Sequence, residues 1–77
     1  MTPADLKAIR ESYQLSQADF ARLLRIDRRT WYNWESGRTE PPAIAITALS
    51  MLVYFRQHAP LVLLDWMSED HKIVKEP

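Results

Sequence analysis

Residues 16–37 read Ser16-Gln17-Ala18-Asp19-Phe20-Ala21-Arg22-Leu23-Leu24-Arg25-Ile26-Asp27-Arg28-Arg29-Thr30-Trp31-Tyr32-Asn33-Trp34-Glu35-Ser36-Gly37. Ser16-Gln17-Ala18-Asp19 is a helix start of capping-box type, with Asp where Glu is usual. Phe20, Ala21, Leu23 and Leu24 give that helix an apolar stripe, and Arg25-Ile26 ends it. Asp27 is the next N-cap candidate. Trp31 and Trp34 lie three apart, on one face of the helix that follows. Ser36-Gly37 stops it, with Gly37 as a natural left-handed C-terminal residue.

Only about two or three residues separate these two helices. Short amphipathic helices joined so tightly cross at a steep angle, which is a helix-turn-helix unit. Upstream, Thr2-Pro3-Ala4-Asp5 opens a first helix over residues 3–13: Thr2 caps, Pro3 takes the first helical position, and Asp5 sits in the first turn. Leu6, Ile9 and Tyr13 recur there at helical spacing. Downstream, Glu40-Pro41-Pro42 is an extended connector. A fourth helix is predicted over residues 43–57, and a short, very apolar fifth over 61–67 after Ala59-Pro60. Residues 68–77 are polar apart from Ile73-Val74 and read as a flexible tail. The one strand candidate is a short arm at residues 72–75. The predicted class is therefore all-α, five short helices around one core.

Seventy-seven residues make one small domain. There is no cysteine, hence no disulfide, thiolate zinc site or thiol nucleophile. The single glycine leaves no phosphate-cradling loop. The longest apolar-leaning run, residues 43–55, carries Thr47 and Ser50 and falls short of the about 20 residues a bilayer span needs. Asp5 and Glu11 interrupt any leader-like start, so a cytoplasmic address is expected. His58 and His71 have no ligand-spaced partners, and Asp65, Glu69 and Asp70 read as solvated tail. No nucleophile–base or metal set is visible, so neither an enzyme nor a cofactor is expected.

Net charge is zero, but charge is unevenly placed. Arg22, Arg25, Arg28, Arg29 and Arg38 stand against Asp27 and Glu35, a net of +3 over residues 22–38. From Pro41 onward three basic residues face four acidic ones, a net of −1. Charge alone favours a solvated face over a polyanion partner. The motif adds the missing context. With Trp31 and Trp34 inward, Arg28, Arg29, Tyr32 and Asn33 occupy the start and outer face of the second helix of the unit. Arginine forks onto guanine O6 and N7, and asparagine pairs with adenine N6 and N7, in the major groove of duplex DNA.

These residues also resemble a known family. Leu6-Lys7-Ala8-Ile9-Arg10, Leu15-Ser16-Gln17-Ala18-Asp19-Phe20-Ala21, and the run from Ile26 to Trp34-Glu35-Ser36-Gly37-Arg38 with Pro41-Pro42 behind it look like the phage repressor/Cro (XRE-type) helix-turn-helix domain. The resemblance spans about residues 6–55, two-thirds of the chain. Residues 31–38 look most like small phage or mobile-element regulators, including anti-CRISPR-associated and antitoxin-type repressors. It implies a compact five-helix repressor-like domain over residues 1–67. Arg28, Arg29, Asn33 and Tyr32 would read bases. Ser16, Gln17, Ser36, Arg38 and Thr39 would meet the DNA backbone, Gln17 with the option of supporting the readout side chains. Ala21 would let the two helices approach, and Arg10 and Glu35 would form a buried structural ion pair. Two departures stand out: Arg25 where the family usually has Gly, and tryptophans where it usually has aliphatics.

Helices four and five carry more apolar residues than so small a domain hides. The surplus points to a partner surface, and the resemblance implies a homodimer through about residues 43–67, with Met51, Tyr54, Phe55, Leu61, Leu64 and Trp66 at the interface. Such a dimer would read a palindromic operator as a repressor, often of its own promoter. The alternative is an antitoxin or adaptor module whose helix 4–5 surface binds a different protein. RNA binding through the same basic helix is a lesser rival.

Overall fold

The computed structural model describes the backbone of residues 1–75 and the side chains of residues 1–68. Five helices follow in order: α1 Pro3–Ser12, α2 Gln17–Leu24, α3 Arg28–Glu35, α4 Ala43–His58 and α5 Pro60–Lys75. No strand is present among the described residues.

The caps set the helix starts. Thr2 is extended; its hydroxyl accepts from the Asp5 N–H at 3.1 Å, and its own N–H donates to the Asp5 carboxylate at 2.9 Å. That is a reciprocal capping box with Asp in the third position. Ser16 accepts from the Asp19 N–H at 3.1 Å. Here the box stays half made, because the Asp19 carboxylate turns to Arg22, one turn on, at 3.5 Å. Asp27 starts α3 without a side-chain cap; its main-chain carbonyl accepts from the Trp31 N–H at 3.2 Å.

Between α2 and α3 the backbone reverses through Arg25, which is left-handed at φ 60°, ψ 40°. The chain does this without glycine. Gln14, in the α1–α2 turn, is left-handed too, at φ 57°. Gly37 ends α3 at φ 83°, and a Cβ there would lie 3.3 Å from Pro3 Cγ.

Leu6, Phe20, Trp31 and Leu49 are fully buried, and Ala21, Trp34, Leu52 and Leu63 complete the core. The rings run as a chain: Tyr13–Phe20 at 5.8 Å, Phe20–Trp31 at 4.9 Å and Trp31–Trp34 at 6.0 Å between centroids. Edge-on and tilted contacts of this kind suit the ring quadrupoles. Both tryptophans thus point inward as expected, and Ala21 is buried in the same core. The Tyr13 hydroxyl donates to the Leu52 carbonyl at 2.8 Å, tying α1 to α4. The Arg56 guanidinium lies over the same ring at 4.9 Å.

One boundary needs correction. The sequence reading ends the fifth helix at Met67 and starts a loose tail at Ser68, with an arm at 72–75. The α5 backbone instead stays helical to Lys75. No Gly or Pro interrupts it before Pro77, and polar residues alone do not end a helix. The last two residues of that tail lie outside the described residues.

Candidate nucleic-acid interface

The α2–α3 unit presents one face of α3 to solvent. Arg28, Arg29 and Tyr32 are exposed, and Asn33 is half-buried. Gln17, at the start of α2, joins Arg28, Arg29 and Tyr32 around a shallow open hollow of about 360 Å³. Two guanidiniums, an amide and a phenol are thereby brought to one recess.

Beyond α3 the chain folds back on the helix end. The N–H groups of Arg38 and Thr39 donate to the Asn33 carbonyl at 2.9 and 3.2 Å, and the Ser36 hydroxyl donates to it at 3.2 Å. Ser36, Arg38 and Thr39 are exposed there, outside the hollow and beside the C-terminal end of α3. Ser16 is exposed, but its hydroxyl is occupied as the α2 cap.

Behind the hollow sits a polar hub. The Glu35 side chain is only 5% exposed and Arg10 14%. Arg10 donates from Nη2 to Glu35 Oε1 at 2.9 Å and from Nε at 3.1 Å to Oε2. Its Nη1 donates to the Leu15 carbonyl at 2.9 Å. Trp31 Nε1 and Gln17 Nε2 both donate to Glu35 Oε2, at 2.6 and 3.1 Å. Burial pushes the Glu35 carboxyl up, but the bonds from Arg10, Gln17 and Trp31 and the Arg10 charge outweigh it and hold it below the ordinary range. The bond to Glu35 raises Arg10 further, against its own burial.

The family resemblance points to the Arg10–Glu35 pair. Sequence reasoning misses the two other donors. Trp31 stands one turn before Glu35, and that spacing is the signal for the indole–carboxylate bond, which a purely apolar role for the tryptophans passes over. Gln17 is remote in sequence, and nothing local marks its amide as turned inward.

The six residues expected at an interface divide. Met51, Phe55 and Trp66 line an apolar groove of about 490 Å³ with Leu23, Leu24 and Val62, between the end of α2, α4 and α5. Tyr54, Leu61 and Leu64 stand outside it; Leu61 is 80% exposed. Tyr54 stacks on His58 at 4.3 Å. Among the described residues no helix is long and apolar enough to cross a membrane.

Comparison with known proteins agrees with this geometry. A helix-turn-helix domain family matches residues 4–56. Antitoxin HigA-2 of Vibrio cholerae serotype O1 is 40% identical over 52 residues, covering 68% of this chain and 50% of that protein. The type II methyltransferase M.MspI of a Moraxella species is 40% identical over 40 residues, 52% of this chain but 10% of that enzyme. The chain thus spans half the length of the first relative and a tenth of the second. The matched stretch takes in α1 from Ala4, α2, α3, the hub and the hollow, and the chain belongs to the helix-turn-helix domain family, of XRE type.

Proposed function

We propose that this chain is a sequence-specific regulator of transcription that binds double-stranded DNA through α3 in the major groove, as a twofold dimer on a palindromic operator. The observation that carries the reading is the outer face of α3. Four groove-suited side chains, Arg28, Arg29, Tyr32 and Asn33, project from a helix pinned underneath by Trp31, Trp34 and the Glu35 hub. A rigid helix delivers its donors at fixed spacing, which base readout requires. Ser16, Gln17, Ser36, Arg38 and Thr39 flank that face and are assigned to the DNA backbone, which contributes affinity and salt dependence. The dimer is assigned to α4 and α5, whose exposed apolar side chains one chain leaves uncovered.

The test is selection from random duplex DNA by the purified chain, with its mass in solution from the same preparation. A palindromic motif with half-sites about one helical turn apart supports the reading. Failure of a folded preparation to enrich any motif at low salt overturns it. A second reading is favoured by one observation: the relative named as an antitoxin, joined to the apolar groove beside α2. Under that reading the α4–α5 surface holds a different protein and DNA binding is secondary. A homodimer that covers this surface would count against it.

A further inference from the structure

We infer that the apolar groove between α2, α4 and α5 is a binding site for a small amphiphilic anion, a carboxylate on an apolar tail of medium length, with Arg25 holding the carboxylate. The site does not depend on the DNA-binding reading above. It gives the groove a small-molecule occupant in place of another protein.

Helical spacing builds the groove. Met51 and Phe55 stand four apart on α4, and Val62 and Trp66 stand four apart on α5, so each pair shares one helix face. All four line the groove and all four are open to solvent, Val62 the most at 66% and Phe55 the least at 37%. Leu52 and Leu63 belong to the same lining but are buried, and they close its inner side. The result is an apolar trough with a packed floor and an open top.

Its volume of about 490 Å³ falls within the range of about 300–1,000 Å³ typical of small-molecule sites. At about 30 Å³ for a group the size of a water molecule, a full trough takes about 16 such groups. An open trough is filled by fewer, so a tail of about ten carbons matches it.

The lining carries one charge. Arg25 stands at the α2 edge, and among the described residues no carboxylate lines the groove. Arg25 is exposed, at the left-handed residue that ends α2. It already has an interaction within the chain. A guanidinium has five N–H donors in a planar fork, and a carboxylate occupies two of them side by side, so one side chain serves both. A trough of this kind sorts apolar molecules by charge: it favours an anion and repels a cation.

A second copy of the chain is the poorer occupant. A twofold contact sets the same patch against itself, which brings two Arg25 guanidiniums to one interface whose described lining holds no carboxylate. Two facing troughs also enclose void, which forfeits packing energy. A small amphiphilic anion supplies both the missing volume and the missing negative charge.

The experiment titrates the full chain with sodium decanoate at neutral pH, below the concentration at which decanoate forms micelles. Calorimetry gives the stoichiometry, fluorescence reports Trp66 as the tryptophan of the lining, and a thermal melt follows the folded state. One decanoate per chain is expected, with a fluorescence change and a melting temperature that rises with ligand concentration. Acetate has the charge without the tail and should not bind. Decyltrimethylammonium has the tail with the opposite charge and should bind at least about 10-fold more weakly. Arg25→Asn should weaken decanoate binding by about 10-fold and bring the two tailed ligands close to parity. Asparagine accepts the left-handed backbone, so this variant keeps the fold. Ala48→Phe adds a ring to the lining and should abolish decanoate binding with Arg25 in place, its far-UV spectrum unchanged. Equal affinity for decanoate and the cation, or undiminished decanoate binding in Arg25→Asn, overturns the site. Many decanoates per chain with a falling melting temperature overturn it as detergent action. Absence of saturable binding overturns it as well: a monomeric Trp66→Glu variant of a dimeric parent then gives the groove to a second copy, and a variant that stays dimeric gives it to a segment of another protein.

Discussion

Glu35 joins three helices through one carboxylate: Arg10 from α1, Gln17 from α2, and Trp31 of its own helix α3. Replacing it with alanine leaves the largely buried Arg10 guanidinium without its counter-charge and the Trp31 and Gln17 donors without their acceptor. Glu35→Ala is expected to cost about 3–5 kcal/mol in urea unfolding, whereas removal of an exposed charge costs a few tenths. The same carboxyl sets an acid limit. Its folded pKa lies below its ordinary 4.5, so the unfolded chain takes up the proton first as pH falls. The contribution to stability is complete above about 4.5 and is lost as pH drops through the lower folded value. A melting temperature measured from pH 6 to pH 2 should fall along that limb, and Glu35→Gln should be flatter there. Gln14 has the opposite character. It is exposed and left-handed at φ 57°, a conformation that costs a non-glycine residue about 1–2 kcal/mol. Glycine there carries about 0.5–1 kcal/mol of extra unfolded-state entropy. Gln14→Gly is therefore expected to stabilise by up to about 1 kcal/mol, checked by the same unfolding curves.

Among the elements, α1 and α4 meet at Tyr13, whose hydroxyl bonds the Leu52 carbonyl across 39 positions of sequence. Tyr13→Phe keeps the ring against Phe20 and removes only that bond. A loss of about 1 kcal/mol is expected in thermal or urea unfolding. A loss near zero would mean that water replaces the hydroxyl at no cost. The sequence makes the helix starts legible because each is a local device: Thr2-Pro3 for α1, Ser16 for α2, Pro42 ahead of α4. The stops are less legible. Gly37 marks the end of α3, but Arg25 ends α2 in a glycine's conformation with no glycine to announce it. The end of α5 is missed for the converse reason, since polarity after Met67 resembles a tail while the backbone continues unbroken to Lys75. The outward face of α3 is legible because Trp31 and Trp34 fix its inward side by period alone. The Glu35 hub is only half legible, because the Gln17 amide that completes it comes from another helix.

At the scale of the whole molecule, α5 has two apolar sides. Val62 and Trp66 face the groove with Phe55 and Met51, while Leu61 and Leu64 lie about 150° round the helix from them. A twofold contact places the same patch on both partners. A groove of about 490 Å³ set against its own copy encloses void, and unfilled volume forfeits packing energy. The proposed dimer is therefore expected to use the exposed Leu61–Leu64 side. The protomer measures 32 × 30 × 22 Å, so a contact of this kind can hold two α3 helices at the spacing of about 34 Å between successive major grooves. Leu64→Glu should then shift the mass in solution from twice 9.1 kDa to 9.1 kDa and remove the palindrome from the selected motif, leaving a single half-site. Trp66→Glu, on the groove side, should leave the dimer and its motif intact. The reverse pattern, a monomer from Trp66→Glu and a dimer from Leu64→Glu, would move the twofold contact into the groove. The groove would then be covered by the second copy, leaving Leu61 and Leu64 as the surface free for another protein.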